Sequence, residues 1–271
     1  IDWHGDFNNY ANAKLKLLNS TKISLLNLGD PEISIRSTAY LGKKVFFGLS
    51  TPAPGELGLV EELLVDRAFV TNPNQAETFA ELKDIQPSIP HNVSNAMAAA
   101  GLALAIGIPH PVVQEGLREF QIDHHRLELV LSLNGIDWVN DSKATNPHAA
   151  KAALSSYLSN IWIAGGLAKG ARMTDLISKA ASKIKAAILI GTDRELIAEE
   201  LERLAPQVKI HRIDLISNSE ELMNQVVLKA LEIAEKGDTV LLAPACASMD
   251  QFRSYAHRGE LFTNSVKKLV K

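Results

Sequence analysis

The sequence predicts an α/β protein in two domains, the second built on a mostly parallel sheet. Two features of the 271-residue chain carry that prediction. From residue 147 to the C-terminus, short apolar runs alternate with stretches of helical length, the pattern of parallel strands joined by crossover helices that cover both faces. The stretch 121–125 separates that regular half from a first half of mixed character, which sets the expected domains at 1–123 and 124–271.

In the first domain, DFNNYANAKLKLL (6–18) places Phe7, Tyr10, Ala11, Lys14, Leu17 and Leu18 at helical spacing, and TKISLLNL (21–28) reads as a buried strand. KKVFFGLS (43–50) reads as a strand and TPAPGELG (51–58) as a turn, while GLVEELLVDRAFV (58–70) fits helix and strand alike. Pro87 and Pro90 argue a connection rather than an element. HNVSNAMAAAGLALAIG (91–107) is a helix stopped by Gly107 and Pro109, and PHPVVQEGLREF (109–120) is a shorter one.

In the second domain, RLELVLSLNGIDWVN (126–140) is two alternating runs around Asn134-Gly135, a strong hairpin signal. Helices follow at 147–158, 173–183, 193–204, 219–236 and 257–270, with strands NIWIAGG, AAILIG, VKIHRI and TVLLAPA between them. No internal repeat or low-complexity tract occurs.

Composition excludes several classes. At 46% hydrophobic and 22% charged residues the chain is ordinary globular material. A net charge of -3 with scattered Lys and Arg gives no footprint for nucleic acid. Cys246 is the only cysteine, which rules out a disulfide framework or a thiolate metal site and fits a reducing compartment. No apolar run reaches the roughly 18–20 residues of a membrane helix. The chain opens on Ile1-Asp2-Trp3 and reads as a segment of a larger protein.

In an open α/β sheet the ligand crevice lies beyond the carboxyl ends of the strands. Three post-strand segments are unusual there: VNDSKATNP, GGLAKGARMTD and PACASMDQF. GTDRE and DLISNSEE read as ordinary polar turns and helix caps. In the first segment Asn146 suits an N-cap before Pro147, leaving backbone N–H groups to face an anion. Lys143 and Thr145 add a charge and a hydroxyl, and Asp141 is the kind of acid that holds a ribose hydroxyl. The same residues also make a plain Asx or Ser/Thr turn with a solvated lysine.

Gly165-Gly166 with Lys169-Gly170 permits close backbone approach beside one cation, or is a plain turn. Ala245, Ala247 and Ser248 leave room for a ligand; Cys246 among them is a candidate nucleophile, against the plainer reading of a buried thiol. His124-His125-Arg126 faces a phosphate or serves as a polar linker, and two adjacent histidines do not easily share a metal. Asn92 and Asn95, a turn apart, read a base edge or merely face solvent. Lys14 sits between Ala13 and Leu15 on an apolar helix, where a lysine ordinarily snorkels. Gly42-Lys43 lacks the earlier glycine of a phosphate loop, and no G-x-G occurs, which disfavours a dinucleotide oxidoreductase.

Taken in order, NAKLKLL around Lys14, HNVSNA, HHRLE, WVNDSKATNP, GGLAKG and PACASMDQFRSYAHRGELF resemble the motifs of the Mur ligases over nearly the whole chain. DSKATN and PACAS-DQF resemble, more narrowly, the members that add D-glutamate. The resemblance implies the C-terminal part of a central ATPase domain followed by a Rossmann-like C-terminal domain. It places a uridine-binding domain, the phosphate loop and a metal-binding histidine upstream of Ile1. It implies that Lys14 is carbamylated and serves Mg²⁺, that Asn92 and Asn95 contact adenine, that His125 and Arg126 contact the nucleotide, and that Asp141 holds the ribose of ATP. Lys143, Thr145 and Lys169 would hold the α-carboxylate of D-glutamate, with Ser248 and Tyr255 near its side-chain carboxylate. His124 stands where Pro is frequent in the family, and Tyr255 where Phe is also found.

The function so implied is ATP-dependent addition of D-glutamate to UDP-N-acetylmuramoyl-L-alanine through an acyl phosphate, in cytoplasmic peptidoglycan synthesis. Neither a nucleic-acid partner nor a membrane span is expected, and the segment alone would be inactive. The alternatives are a sibling Mur ligase or folylpolyglutamate-type ligase, and a non-catalytic nucleotide-binding module.

Overall fold

The structure, a computed structural model, describes residues 3–72, 74–214 and 217–271. It divides into two compact units, Ile1–Gln121 and Ile122–Lys271.

The first unit opens with α1 (Phe7–Leu15), where the Asp6 side chain accepts the Asn9 N–H at 2.8 Å. The strands are β1 (Ile23–Asn27), β2 (Lys43–Phe47), β3 (Glu56–Val60), β4 (Leu63–Asp66) and β5 (Glu77–Glu81), in the sheet order β1-β2-β3-β4-β5. The first three run parallel, and β3, β4 and β5 pair antiparallel. The ambiguous stretch 58–70 is thus a hairpin, turning at Glu61 with φ +54°, and β3 takes over the end of the expected turn TPAPGELG.

A short helix, α2 (Pro31–Arg36), was not anticipated. Pro90, read as part of a connection, is instead the first residue of α3 (Pro90–Ala105), a position where its missing N–H has no intrahelical acceptor anyway. With α4 (His110–Glu119), α3 covers the sheet; Val93, Met97, Leu104 and Val113 bury against Val45, Phe47, Leu57, Leu64 and Phe79.

The second unit follows its expected pattern. A hairpin of β6 (Glu128–Leu133) and β7 (Ile136–Asn140) turns at Asn134 and Gly135, both at positive φ as a tight two-residue turn requires. Then come α5 (Pro147–Ser155), β8 (Asn160–Gly165), α6 (Thr174–Ala180), β9 (Ile184–Ile190), α7 (Arg194–Leu204), β10 (Lys209–Arg212), α8 (Ser219–Ile233), β11 (Thr239–Leu242) and α9 (Tyr255–Leu269).

The sheet order is β10-β9-β8-β11-β7-β6, parallel throughout except for β6. One face buries Trp138, Ile161, Ile163, Ile188 and Val240 against Leu222, Val226, Phe262 and Val266 of α8 and α9. Every residue of β8 and β11 is buried, which explains why they read as continuous apolar runs rather than alternations.

The chain steps outward from β7 through β8, β9 and β10, then returns to insert β11 between β7 and β8. That reversal is a topological switch point, and the segments after β7, β8 and β11 leave from three neighbouring strands.

Candidate active site

The three segments singled out in the sequence therefore meet on one edge of the second sheet, and backbone hydrogen bonds lock them together. Ala245 N–H donates to Ala144 O at 2.9 Å, and Leu167 and Ala247 exchange two bonds at 2.9 and 3.0 Å. Gly166 permits this approach: at φ +131° an added Cβ would lie 2.1 Å from Ala247 O.

GTDRE, expected to be a plain turn and cap, takes part as well. The Asp193 side chain makes no cap bond; its Oδ2 accepts the Ala168 N–H at 2.8 Å, and its own N–H donates to Gly166 O at 3.0 Å. Asn218 in DLISNSEE does cap α8, although Leu215 and Ile216 of that segment lie outside the described residues.

Arg258, on α9, is the floor of the site and is fully buried. Its guanidinium donates to Ser142 Oγ at 3.0 Å, to Ser142 O at 2.9 Å and to Cys246 O at 3.3 and 3.4 Å. It thereby ties the β7 and β11 segments without a carboxylate partner among the described residues, and burial pulls its pKa down to about 10. Cys246 is buried beside it with its thiol pushed up to about 12 by the same desolvation, which favours the structural reading over the nucleophile.

Above this floor, Lys143 is half-buried with Nζ 5.2 Å from the Tyr255 ring centroid, and the His125 ring meets that of Tyr255 edge-on at 6.3 Å. Asn146 caps α5 as expected, accepting the Ala149 N–H at 3.0 Å. Thr145 is half-buried, Ser248 buried, and Lys169 exposed at φ +50° in the β8 segment.

Asp141 is buried, and desolvation pushes its carboxyl up to about 7 against the pull of the Leu127 N–H and the nearby Arg126 cation. Arg126 itself is exposed. His125 stands at φ +66°, with its N–H bonded to Glu128 Oε2 at 2.9 Å; burial, first, lowers its pKa. His124 is exposed and pairs with Glu128 at 3.0 Å, so the two histidines do not converge.

In the first unit, Asn92 and Asn95 line one cavity of about 320 Å³ between α3 and α4, walled by Ile85, Ala96, Val113 and Phe120. The buried Asn92 donates its amide to Pro87 O at 2.9 Å, while Asn95 is exposed.

Lys14 lies as the snorkelling reading has it, on a helix that is largely exposed. Ala11 is the only buried residue of α1, Phe7 and Leu17 face solvent, and Lys14 is exposed with Nζ 5.7 Å from the Tyr10 ring centroid. No group of three His, Cys, Asp or Glu comes together among the described residues. Mg²⁺ takes an octahedral oxygen shell, and one lysine, an amine until carbamylated, does not make it. The residues present do not fit a magnesium site by themselves.

Asn140, Asp193, Arg258 and Gly259 were missed as site-builders. HRGELF was part of a quoted motif, but nothing in the pattern distinguishes a buried arginine from a solvated one.

The fold and this site define a Rossmann-like α/β protein whose candidate ligand edge lies at the switch point. Residues 125–246 match the family described as "Mur ligase, glutamate ligase domain". That segment is therefore a Mur ligase glutamate ligase domain, and the sequence of the whole chain is similar to that of D-glutamate-adding relatives.

It is 47% identical over 274 residues to the UDP-N-acetylmuramoylalanine–D-glutamate ligase of Thermobifida fusca, covering 100% of this chain and 58% of the relative. Identity to the enzyme of the same name from Streptomyces coelicolor is 45%, again over 58% of its length. The chain thus spans less than two thirds of these relatives.

Among solved structures, a pseudomurein peptide ligase type C from Methanothermus fervidus matches at TM-score 0.67 and 15% identity, covering 97% of this chain and 60% of that one. The UDP-N-acetylmuramate-alanine ligase of Thermotoga maritima matches at 0.61 and 16%, covering 98% and 56%. Those two similarities establish the fold alone.

Proposed function

We propose that these residues form the later part of an ATP-dependent ligase that joins D-glutamate to UDP-N-acetylmuramoyl-L-alanine in peptidoglycan synthesis. The observation that carries the reading is the 47% identity running through the whole chain to a D-glutamate ligase. The substrate carboxylate attacks the γ-phosphorus of ATP and ADP leaves. The D-glutamate amine then attacks the acyl carbon, phosphate leaves, and the nitrogen gives up a proton.

Such chemistry depends on positioning and on neutralising charge. Lys143, Thr145 and Lys169 supply two cations and a hydroxyl for the α-carboxylate of the amino acid. Ser248 and Tyr255 sit on the segment and helix that would border its side-chain carboxylate. Asp141 accepts a ribose hydroxyl, His125 and Arg126 face the nucleotide, and the α3–α4 cavity takes the adenine against Asn92 and Asn95. Lys14, once carbamylated, would give Mg²⁺ one oxygen ligand, the others coming from outside these residues. A full-length cytoplasmic enzyme would supply those ligands, the phosphate loop and the uridine-binding region.

The test is phosphate release by the full-length protein, with D-glutamate compared against L-alanine, diaminopimelate, L-lysine and D-alanyl-D-alanine. Release that requires ATP, UDP-N-acetylmuramoyl-L-alanine and D-glutamate together supports the reading. Equal or better release with another amino acid assigns a sibling, and no release at all despite nucleotide binding assigns a non-catalytic module. The 271 residues alone are expected to give no turnover.

A further inference from the structure

We propose that Asn140 is a positioning residue that fixes the His125 imidazole with its proton on Nε2, so that His125 presents an N–H donor to an oxygen of the bound nucleotide. The nucleotide part rests on the function proposed above; the tautomer does not.

The orientation of the Asn140 amide is set by its neighbours. Its Oδ1 accepts the Ser142 N–H at 3.1 Å, a backbone group that can only donate. Its Nδ2 must therefore face the other way, toward Gly259 O at 3.1 Å, Thr263 Oγ1 at 3.2 Å and His125 Nδ1 at 2.9 Å. An amide NH₂ donates only. A proton on Nδ1 would set two N–H groups against each other at the shortest of these contacts, so Nδ1 accepts and the single proton of the neutral ring sits on Nε2.

The ring has little freedom to escape this arrangement. It lies on Gly259, where an added Cβ would come 2.3 Å from Nδ1, and it stands edge-on to Tyr255. Asn140 itself is fully buried.

One carboxylate competes for Nδ1. Glu128 Oε2 is 3.9 Å from it, beyond hydrogen-bond reach, and already accepts the His125 backbone N–H at 2.9 Å, while Oε1 faces His124. The other charges acting on the ring are Glu260, which favours protonation, and His124 and Lys143, which oppose it. No described residue is bonded to Nε2, which leaves that N–H for a phosphate or ribose oxygen.

The experiment is long-range ¹H–¹⁵N correlation on the histidine-labelled 271-residue chain, with His125 assigned by its loss in His125→Gln. The expected pattern is an acceptor-type Nδ1 and a protonated Nε2 at neutral pH. In Asn140→Asp the new carboxylate can only accept, which draws a proton onto Nδ1, so the pattern moves to Nδ1–H or imidazolium and the titration midpoint rises by about a unit or more. In the full-length enzyme, assayed above that midpoint so that the ring is the neutral Nδ1–H tautomer without an Nε2 donor, the same variant raises KM for ATP about tenfold, the scale of one lost hydrogen bond, with a smaller change in KM for D-glutamate.

A wild-type His125 that is Nδ1-protonated or an even mixture overturns the proposal, and that spectrum needs no variant to fold. So does a folded Asn140→Asp chain with an unchanged His125 pattern. The spectra require no substrate, so a failed ligase assay leaves the tautomer readable, and a failed tautomer leaves the ligase reading intact.

Discussion

Asp141 sits where its charge is resisted, and that has a consequence for stability. Its folded pKa of about 7 lies above the ordinary 3.8. Below pH ~4 both folded and unfolded chains hold the proton, and the group's contribution is fully present. Between pH ~4 and ~7 the unfolded chain releases the proton first, and stability falls by roughly 1.4 kcal/mol per unit before levelling off.

Asp141→Asn removes this slope, so the variant gains up to about 4 kcal/mol over the parent at pH 8 and little at pH 4. Urea unfolding at pH 4, 6 and 8 reads it; a parent-like slope in the variant contradicts it. The same variant should lose nucleotide binding, the exchange of stability for function common at sites. Cys246 makes a complementary case: with its thiol at about 12 and no exposed surface, thiol reagents should label the native chain orders of magnitude more slowly than the urea-unfolded one. Labelling at equal rates would refute the buried-thiol assignment. Asp141 and Lys143 were legible in the sequence because strand ends in parallel sheets are where ligands bind. Arg258 and Asn140 were not, since their partners are the Ser142 and Cys246 carbonyls and the His125 ring, which no local spacing encodes.

At the scale of elements, legibility followed the strength of local punctuation. Asn134-Gly135 announced its hairpin because both residues tolerate positive φ. The β3–β4 hairpin turns instead at Glu61, φ +54°, so no Gly, Asn or Pro marked the turn and the stretch 58–70 fitted either period. The helix α2, at six residues, is too short for a period to show. Gly166 marks an opposite case, a glycine that looked like a turn and proves to be a contact. Gly166→Ala would drive Cβ into Ala247 O in a backbone region closed to L-residues, and should cost at least ~2 kcal/mol. Removing the α5 cap with Asn146→Ala should cost only about 1 kcal/mol. Thermal denaturation ranks the two, and equal losses would mean that the β8 and β11 segments are not held by that approach.

For the whole molecule, the strand alternation revealed which segments lie at the sheet's ligand edge but not that β11 inserts between β7 and β8, because strand order is written in no local pattern. That insertion makes three distant segments neighbours, and their mutual bonds through Ala144, Ala245, Leu167, Ala247 and Asp193 hold the edge without any ligand. A site assembled this way should be preformed. Its core is its own: Trp138, Ile163, Val226 and Phe262 pack within the second unit. Residues 122–271 expressed alone should therefore unfold cooperatively and sense the amino acid. Adding D-glutamate should shift the backbone amide signals of Lys143, Thr145, Lys169, Ser248 and Tyr255, with L-glutamate far weaker. Adenosine added to the 271-residue chain should shift the signals of α3 and α4 around Asn92 and Asn95. An unfolded 122–271 fragment would show that the edge is not self-sufficient. D-Glutamate shifts confined to the α3–α4 cavity would place amino-acid binding on the wrong unit and undo the assignment of Lys143 and its neighbours.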